Sequence, residues 1–435
     1  MSSLGKLNFT SNYLDSDYLA KKTENVAVYD DLINVGALSG RLNPASRSIN
    51  IGVEAGEENS GQDSIHIGYR SGEQNASTNT ISIGNGSGLK DASGNSICIG
   101  QSAGEQTSAG FSINIGAYAG ENNSSENAIN IGQSAGEENS GENSIHIGYS
   151  AGENNNQDNN ICIGFESGSV NASGAKNVLI GYQAGKGNGS NVGPDAVCIG
   201  NQAGMNRAGS SGVFIGKNSG TNQTTYGGLF IGPSSGQCDT TQNSPYSLGI
   251  GLSAGRNGQG LTSGGSVNNQ AYNVAIGVAS GQTNQQEYGT ACGAFSAWSN
   301  AGAYASVYGY QAGRLNVGDN TCGFGYRSLY SGAQDNCTAI GFSSGEVNCN
   351  IGSTCVGYEA GNSNAGDYSV LIGYQAGTSY PSNNTIVINA TGSALQNNTA
   401  SSCVIAPVRQ VDPATIANSK PVYYDPDRKE LFYST

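Results

Sequence analysis

Nowhere in this chain is there a run of about 18 apolar residues, the length a membrane-crossing helix needs, so membrane insertion is not expected. Charge is scarce: Asp, Glu, Lys and Arg make up only 11% of the residues, and 18 basic against 32 acidic side chains leave a formal charge of -14. Clustered Lys and Arg are what hold a phosphate backbone or an anionic bilayer, so nucleic acid is not expected as a partner. The opening residues Met1 to Leu7 lack the apolar core and cleavage site of a secretory signal, and routine export is not expected either. Only two His and one Trp occur in 435 residues. Helix formers are displaced by 67 Gly, each costing a helix about 1 kcal/mol relative to Ala.

What the chain does have is a period. An apolar residue followed by Gly recurs at Val35, Ile51, Ile67, Ile83, Ile99, Ile115, Ile131, Ile147 and Ile163, 16 residues apart each time. The register absorbs extra residues before Ile180, Ile199, Ile250 and Ile276, the largest insertion lying around Arg256 to Gln270, and the 16-residue step returns from Cys292 to Ile388. With that apolar residue as position zero, about 22 coils follow one another. A fixed period over most of a chain marks one unit stacked on itself, with insertions extruded as loops. The expected fold is all-β: a parallel β-roll or β-helix solenoid with a 16-residue repeat, over residues 33–392. At the spacing of adjacent strands the rod is on the order of 100 Å long.

A typical coil reads Ile97-Cys98-Ile99-Gly100-Gln101-Ser102-Ala103-Gly104. Residues two apart along a strand share a face, so both Ile are expected inside and the residue between them outside. That middle row includes His66, Cys98, Asn114, Asn130, His146, Cys162, Cys198, Phe214, Phe230, Cys355 and Leu371. Its apolar character in the later coils is the pattern of a strip buried against sister chains, and these residues are expected at a homotrimer interface. The energetics agree. Two buried Ile supply roughly 3 to 6 kcal/mol, against about 1 to 2 kcal/mol of backbone entropy for each residue of the coil, so ladder bonds and lateral association must contribute.

Segments such as Asn95-Ser96-Ile97-Cys98-Ile99-Gly100 and Asn143-Ser144-Ile145-His146-Ile147-Gly148 resemble the repeat of trimeric autotransporter adhesin heads. That resemblance implies a left-handed roll and three chains around one axis. The ending, with Ile405-Ala406-Pro407-Val408-Arg409 and Val422-Tyr423-Tyr424-Asp425-Pro426, resembles that of fibre proteins from tailed phages and large DNA viruses. It implies a virion-surface location, a virion capsid or tail protein as docking partner, and a host surface glycan or protein receptor.

The remaining motifs are weighed by their chemistry. Gly-x-Ser-x-Gly recurs at Gly100 to Gly104, Gly132 to Gly136 and elsewhere; a hydrolase needs one strained Ser beside a His, so no enzyme activity, catalytic residue, cofactor or metal site is expected. His66 and His146 would form rings of three near a threefold axis, and if buried their protonation should weaken the trimer. Glu57, Glu73, Glu105, Glu121, Glu137 and Glu153 form a like-charged column, read as a solvated edge in preference to a calcium site. Tyr310, Tyr326, Phe342, Tyr358 and Tyr374 line up two places past position zero, either as a stiffening ladder, the preferred reading, or as a glycan-contact stripe. Asn79, Asn95, Asn127, Asn143 and Asn159 suit an amide ladder between coils. The ten Cys are read mainly as buried thiols of a reducing compartment, with Cys322 and Cys337, or Cys349 and Cys355, the only near pairs.

Residues 1–32, with Tyr13, Tyr18 and Tyr29 and no period, suit an N-terminal docking segment; residues 393–435, without the Gly corners, suit a C-terminal cap. The expected function is a structural fibre or spike on a virion surface, engaged in host attachment. The alternatives are a self-assembling extracellular filament and a cell-surface adhesin without a viral role.

Overall fold

The computed structural model describes residues 26–29, 32–43, 47–91, 94–108, 110–170, 174–187, 193–206, 209–223, 226–238, 246–256, 272–410, 422–425, 427–428 and 430–433. Most of the expected docking segment, Tyr13 and Tyr18 included, and nearly all of the largest insertion lie outside these residues. The described residues form strands and turns, with no helix among them.

The strands fall where the period puts them. Ile81–Ile83 pairs in parallel with Ile65–Ile67 on one side and Ile97–Ile99 on the other, each Ile opposite the Ile 16 residues along. Insertions leave this register untouched, since Ile163 still pairs with Ile180, Ile180 with Ile199, and Ile250 with Ile276. The result is one 24-stranded sheet. The chain is thus a parallel β-solenoid. Its stack continues past Gly392, where the period ends, because Cys403–Ala406 pairs in parallel with Ile386–Asn389; strand pairing needs a ladder, and the Gly corners are dispensable in the last turn. At the opposite end Val26–Tyr29 pairs antiparallel with Leu32–Val35 and closes the first rung. A second wall forms only in the later coils, where Thr283–Gln285, Ser299–Ala301, Leu315–Val317 and Ser331–Ala333 make a four-stranded parallel sheet.

Two glycine columns make this stacking possible, each for its own reason. At the first corner, Gly100 has φ +137° and a Cβ there would sit 2.3 Å from the carbonyl oxygen of Gly116; Gly116 stands in the same relation to Gly132. Successive coils touch backbone to backbone along this line, so no side chain fits. At the second corner, a Cβ on Gly104 would meet Cys98 Sγ at 2.3 Å, and one on Gly220 would meet the Phe214 ring at 1.8 Å. The roll is so thin that the residue between the two Ile reaches across and lies against the opposite glycine.

That contact reverses the expected faces. The middle row points into its own coil: His66, Cys98, Asn114, Asn130, His146, Cys162, Cys198, Phe214, Phe230, Cys355 and Leu371 are all fully buried within the single chain. The paired Ile face outward and stay partly exposed, with Ile51, Ile115, Ile340 and Ile372 36 to 43% exposed. Alternation along a strand dictates that the two sets oppose each other, but not which set is inside. The cross-section decides it, because there is room for one side chain per coil facing glycine and none for a pair of Ile. The expected trimer-interface row is therefore the core.

The interior changes character along the rod. In the early coils it is polar and bonded from coil to coil: Asn50 Nδ2 donates to Asn34 Oδ1 at 2.8 Å, and Asn130 Nδ2 to Asn114 Oδ1 at 2.8 Å. The small Ser of the second corner donates to the backbone of the next coil, as Ser87 Oγ does to the Cys98 carbonyl at 2.7 Å. Buried Asn59, Asn75, Asn123 and Asn139 each accept the N–H two residues on, at 2.7 or 2.8 Å, and hold the third corner. From Ala151 to Phe230 the core becomes apolar, with Leu179 and the stacked rings of Phe214 and Phe230 5.9 Å apart.

Candidate functional site

Inside the roll both His are fully buried and bond to Asn side chains of the core. His66 Nε2 accepts from the Asn59 amide at 2.7 Å, and His146 Nδ1 donates to Asn130 Oδ1 at 2.8 Å. His66 Nδ1 and His146 Nε2 have no hydrogen-bond partner among the described residues. Burial drives both imidazoles down to about 4, so they stay neutral fillers at neutral pH. They lie within their own coils, which places them in no ring about a shared axis and corrects that expectation. Burial likewise pushes the Cys98 and Cys162 thiols up to about 12. All ten Cys are free thiols; Cys349 and Cys355 are brought together, Sγ to Sγ 3.9 Å. Among the described residues no group of three or more His, Cys, Asp or Glu is placed to hold a metal ion.

The outside carries the candidates. The acidic column behaves as its spacing demands: burial, then the neighbouring Glu105, Glu137 and Glu138, raise the Glu121 carboxyl. The amide ladder forms, Asn79 Nδ2 donating to Asn95 Oδ1 at 2.9 Å and Asn127 Nδ2 to Asn143 Oδ1 at 3.0 Å. The aromatic stripe is continuous. Tyr310, Tyr326, Phe342, Tyr358 and Tyr374 stack with ring centres 5.6, 4.8, 5.2 and 5.2 Å apart and planes within 15° of parallel. These rings are 41 to 46% exposed, yet their faces are turned to one another along the rod and their edges to solvent. A sugar stacks on a ring face, so this geometry favours the stiffening role for the stripe.

Two aromatic features escape the sequence reading. Tyr246, Tyr272, Tyr288 and Tyr304 form a second stack, with ring centres 5.1, 5.5 and 5.2 Å apart. Beside the four-stranded sheet, the Arg314 guanidinium lies between the rings of Trp298 and Tyr330, 5.1 and 5.7 Å from their centres, and donates to the Tyr330 hydroxyl at 3.0 Å. Arg327 covers Tyr330 from another side at 4.2 Å and pairs with Glu346 at 2.7 Å. The signal was there: Gln282, Trp298, Arg314 and Tyr330 share one rung position at 16-residue steps, as do Tyr272, Tyr288 and Tyr304.

A scan against known protein families finds no match, and no curated protein matches the chain in sequence.

Proposed function

We propose that this chain is a structural fibre or spike of a virion surface, a left-handed homotrimeric rod that serves host attachment and carries no catalytic activity. The observation that supports it is the double row of outward Ile, Val and Leu side chains that runs from Ile33 and Val35 to Val274 and Ile276 and resumes from Val370 and Ile372 to Ile386 and Ile388, with mainly Thr, Ser, Cys and aromatic residues at the same positions of the five coils between. Covering each half-exposed Ile contributes on the order of 1 kcal/mol. Summed over the strip this is tens of kcal/mol, well above the roughly 4 to 15 kcal/mol that association costs. Three copies packed around an axis along these rows bury the apolar strip and leave the acidic and aromatic columns outside. The docking partner is a capsid or tail protein reached through residues 1–32, and the ending's resemblance to viral fibres supports the virion location.

A self-assembling filament is the competing reading, and one observation favours it: Cys403–Ala406 ends the stack with no further strand paired along its outer edge among the described residues. The other end is closed by an antiparallel strand, so head-to-tail growth must first displace Val26–Tyr29. Electron microscopy and sedimentation of the purified protein separate the two. Rods of uniform length with three times the chain mass are expected. Open-ended polymers would favour the filament, and a stable monomer would defeat both.

A further inference from the structure

Coils in the last third carry a surface unlike the rest of the rod. Outside the four-stranded sheet lies a groove of about 420 Å³ whose polar lining is Gln286, Asn300, Asn316, Asp319, Gln334 and Asp335. Its groups are held in place by the stacking itself. Asp319 Oδ1 accepts the Ala303 N–H and Asp335 Oδ1 the Asp319 N–H, each at 2.9 Å, while Asn300 Nδ2 donates to Asn316 Oδ1 at 2.8 Å.

Each of these bonds uses only half of a planar group. The second carboxylate oxygens of Asp319 and Asp335 are without a partner among the described residues, as are Asn316 Nδ2, Gln334 Oε1 and the whole Gln286 amide. The groove therefore presents both acceptors and donors, with the Asn300 and Asn316 amides and the Asp319 and Asp335 carboxylates each recurring one coil apart. Its floor is glycine: a Cβ on Gly302 would strike Gly318 at 2.4 Å, and one on Gly318 would strike Asp335 Oδ1 at 2.5 Å. The Trp298, Arg314 and Tyr330 row runs just before the strands of this sheet and is not part of the groove's lining.

We propose that this groove binds a neutral, hydroxyl-rich saccharide chain lying along the rod axis. Hydroxyls both donate and accept, which matches the mixed set; paired carboxylates with free oxygens accept from hydroxyls and repel acidic sugars. The repeat distance of the rungs suits a polymer of sugar units. The proposal deepens the attachment reading by naming the ligand class and its site.

Trp298 is the chain's one tryptophan and lies two residues before Asn300 of the groove. The full chain is titrated with maltohexaose, cellohexaose and chitohexaose as neutral probes and with sialyllactose as the acidic one, following Trp emission and saturation-transfer NMR. A saturable response to at least one neutral probe is expected. The double variant Asn316→Ala with Gln334→Ala, both exposed positions, should weaken it about tenfold or more. Should the double variant misfold by circular dichroism, Gln286→Ala alone carries the test, since its side chain bonds to no described residue. Three results would overturn the proposal: no neutral probe binds, only sialyllactose binds, or binding survives the variants and so lies elsewhere. Particle attachment to cells is scored separately. Oligosaccharide binding without attachment would sink the attachment reading and leave the groove standing; attachment without oligosaccharide binding would do the reverse.

Discussion

At the scale of the residue, the roll's interior is governed by what can face a glycine across a few ångströms. His66 and His146 illustrate the cost. Each keeps one ring nitrogen unbonded, and burial holds both near 4, below the value of about 6.5 that the unfolded chain retains. Because the folded value is the lower one, the unfolded chain takes up protons first. The stabilising contribution is complete above about pH 6.5 and is lost as the pH falls toward 4, on the order of 3 kcal/mol for each ring. Guanidinium unfolding at about pH 7.5 and pH 4.5 checks this. The wild-type chain is expected to lose stability between the two, and the His66→Asn, His146→Asn variant to lose markedly less, since Asn occupies the same rung position at Asn50, Asn114 and Asn130. An equal loss in both would assign the acid sensitivity to the carboxylates.

At the scale of the element, the unit is the column of equivalent positions. Stacked rings are worth about 0.5 to 1.5 kcal/mol per pair. Tyr326 has a ring on either side and Tyr374 on one side only. Tyr326→Ala should therefore cost about twice what Tyr374→Ala costs, measured as the shift in denaturant midpoint at constant slope. Equal costs would mean that the rings act singly, as exposed side chains. Columns were legible in the sequence wherever the period was unbroken, as for Tyr310 to Tyr374 and the Asn79 to Asn95 pair. The stack that begins at Tyr246 was hidden, because the largest insertion separates it from Tyr272 in the chain while register brings the two rings within 5.1 Å.

At the scale of the whole molecule, the question is which face meets a partner. The outward Ile rows and the inward middle row make opposite predictions for a charge. Ile99→Asp combined with Ile147→Asp should leave the coil folded, because these side chains project outside, and should break the association, since a buried unpaired carboxylate costs several kcal/mol. Sedimentation is expected to fall from three chains to one with unchanged circular dichroism. Cys98→Asp, placed in the core, should instead unfold the surrounding coils. If Cys98→Asp were to dissociate a still-folded rod, the middle row would be the interface after all.

The period, the all-β character, the parallel register and the position of nearly every strand are properties of this sequence by itself, because a 16-residue recurrence of Ile-x-Ile-Gly admits only a stack of identical turns. Which side of each strand is inside belonged to the tertiary structure alone. Alternation is symmetrical between the two faces, and only the closed cross-section, with glycine opposite a single side chain, breaks that symmetry. For the same reason the groove at Asn316 and Asp335 could not be read along the chain: its polar lining comes from four neighbouring coils, and only stacking makes them one surface.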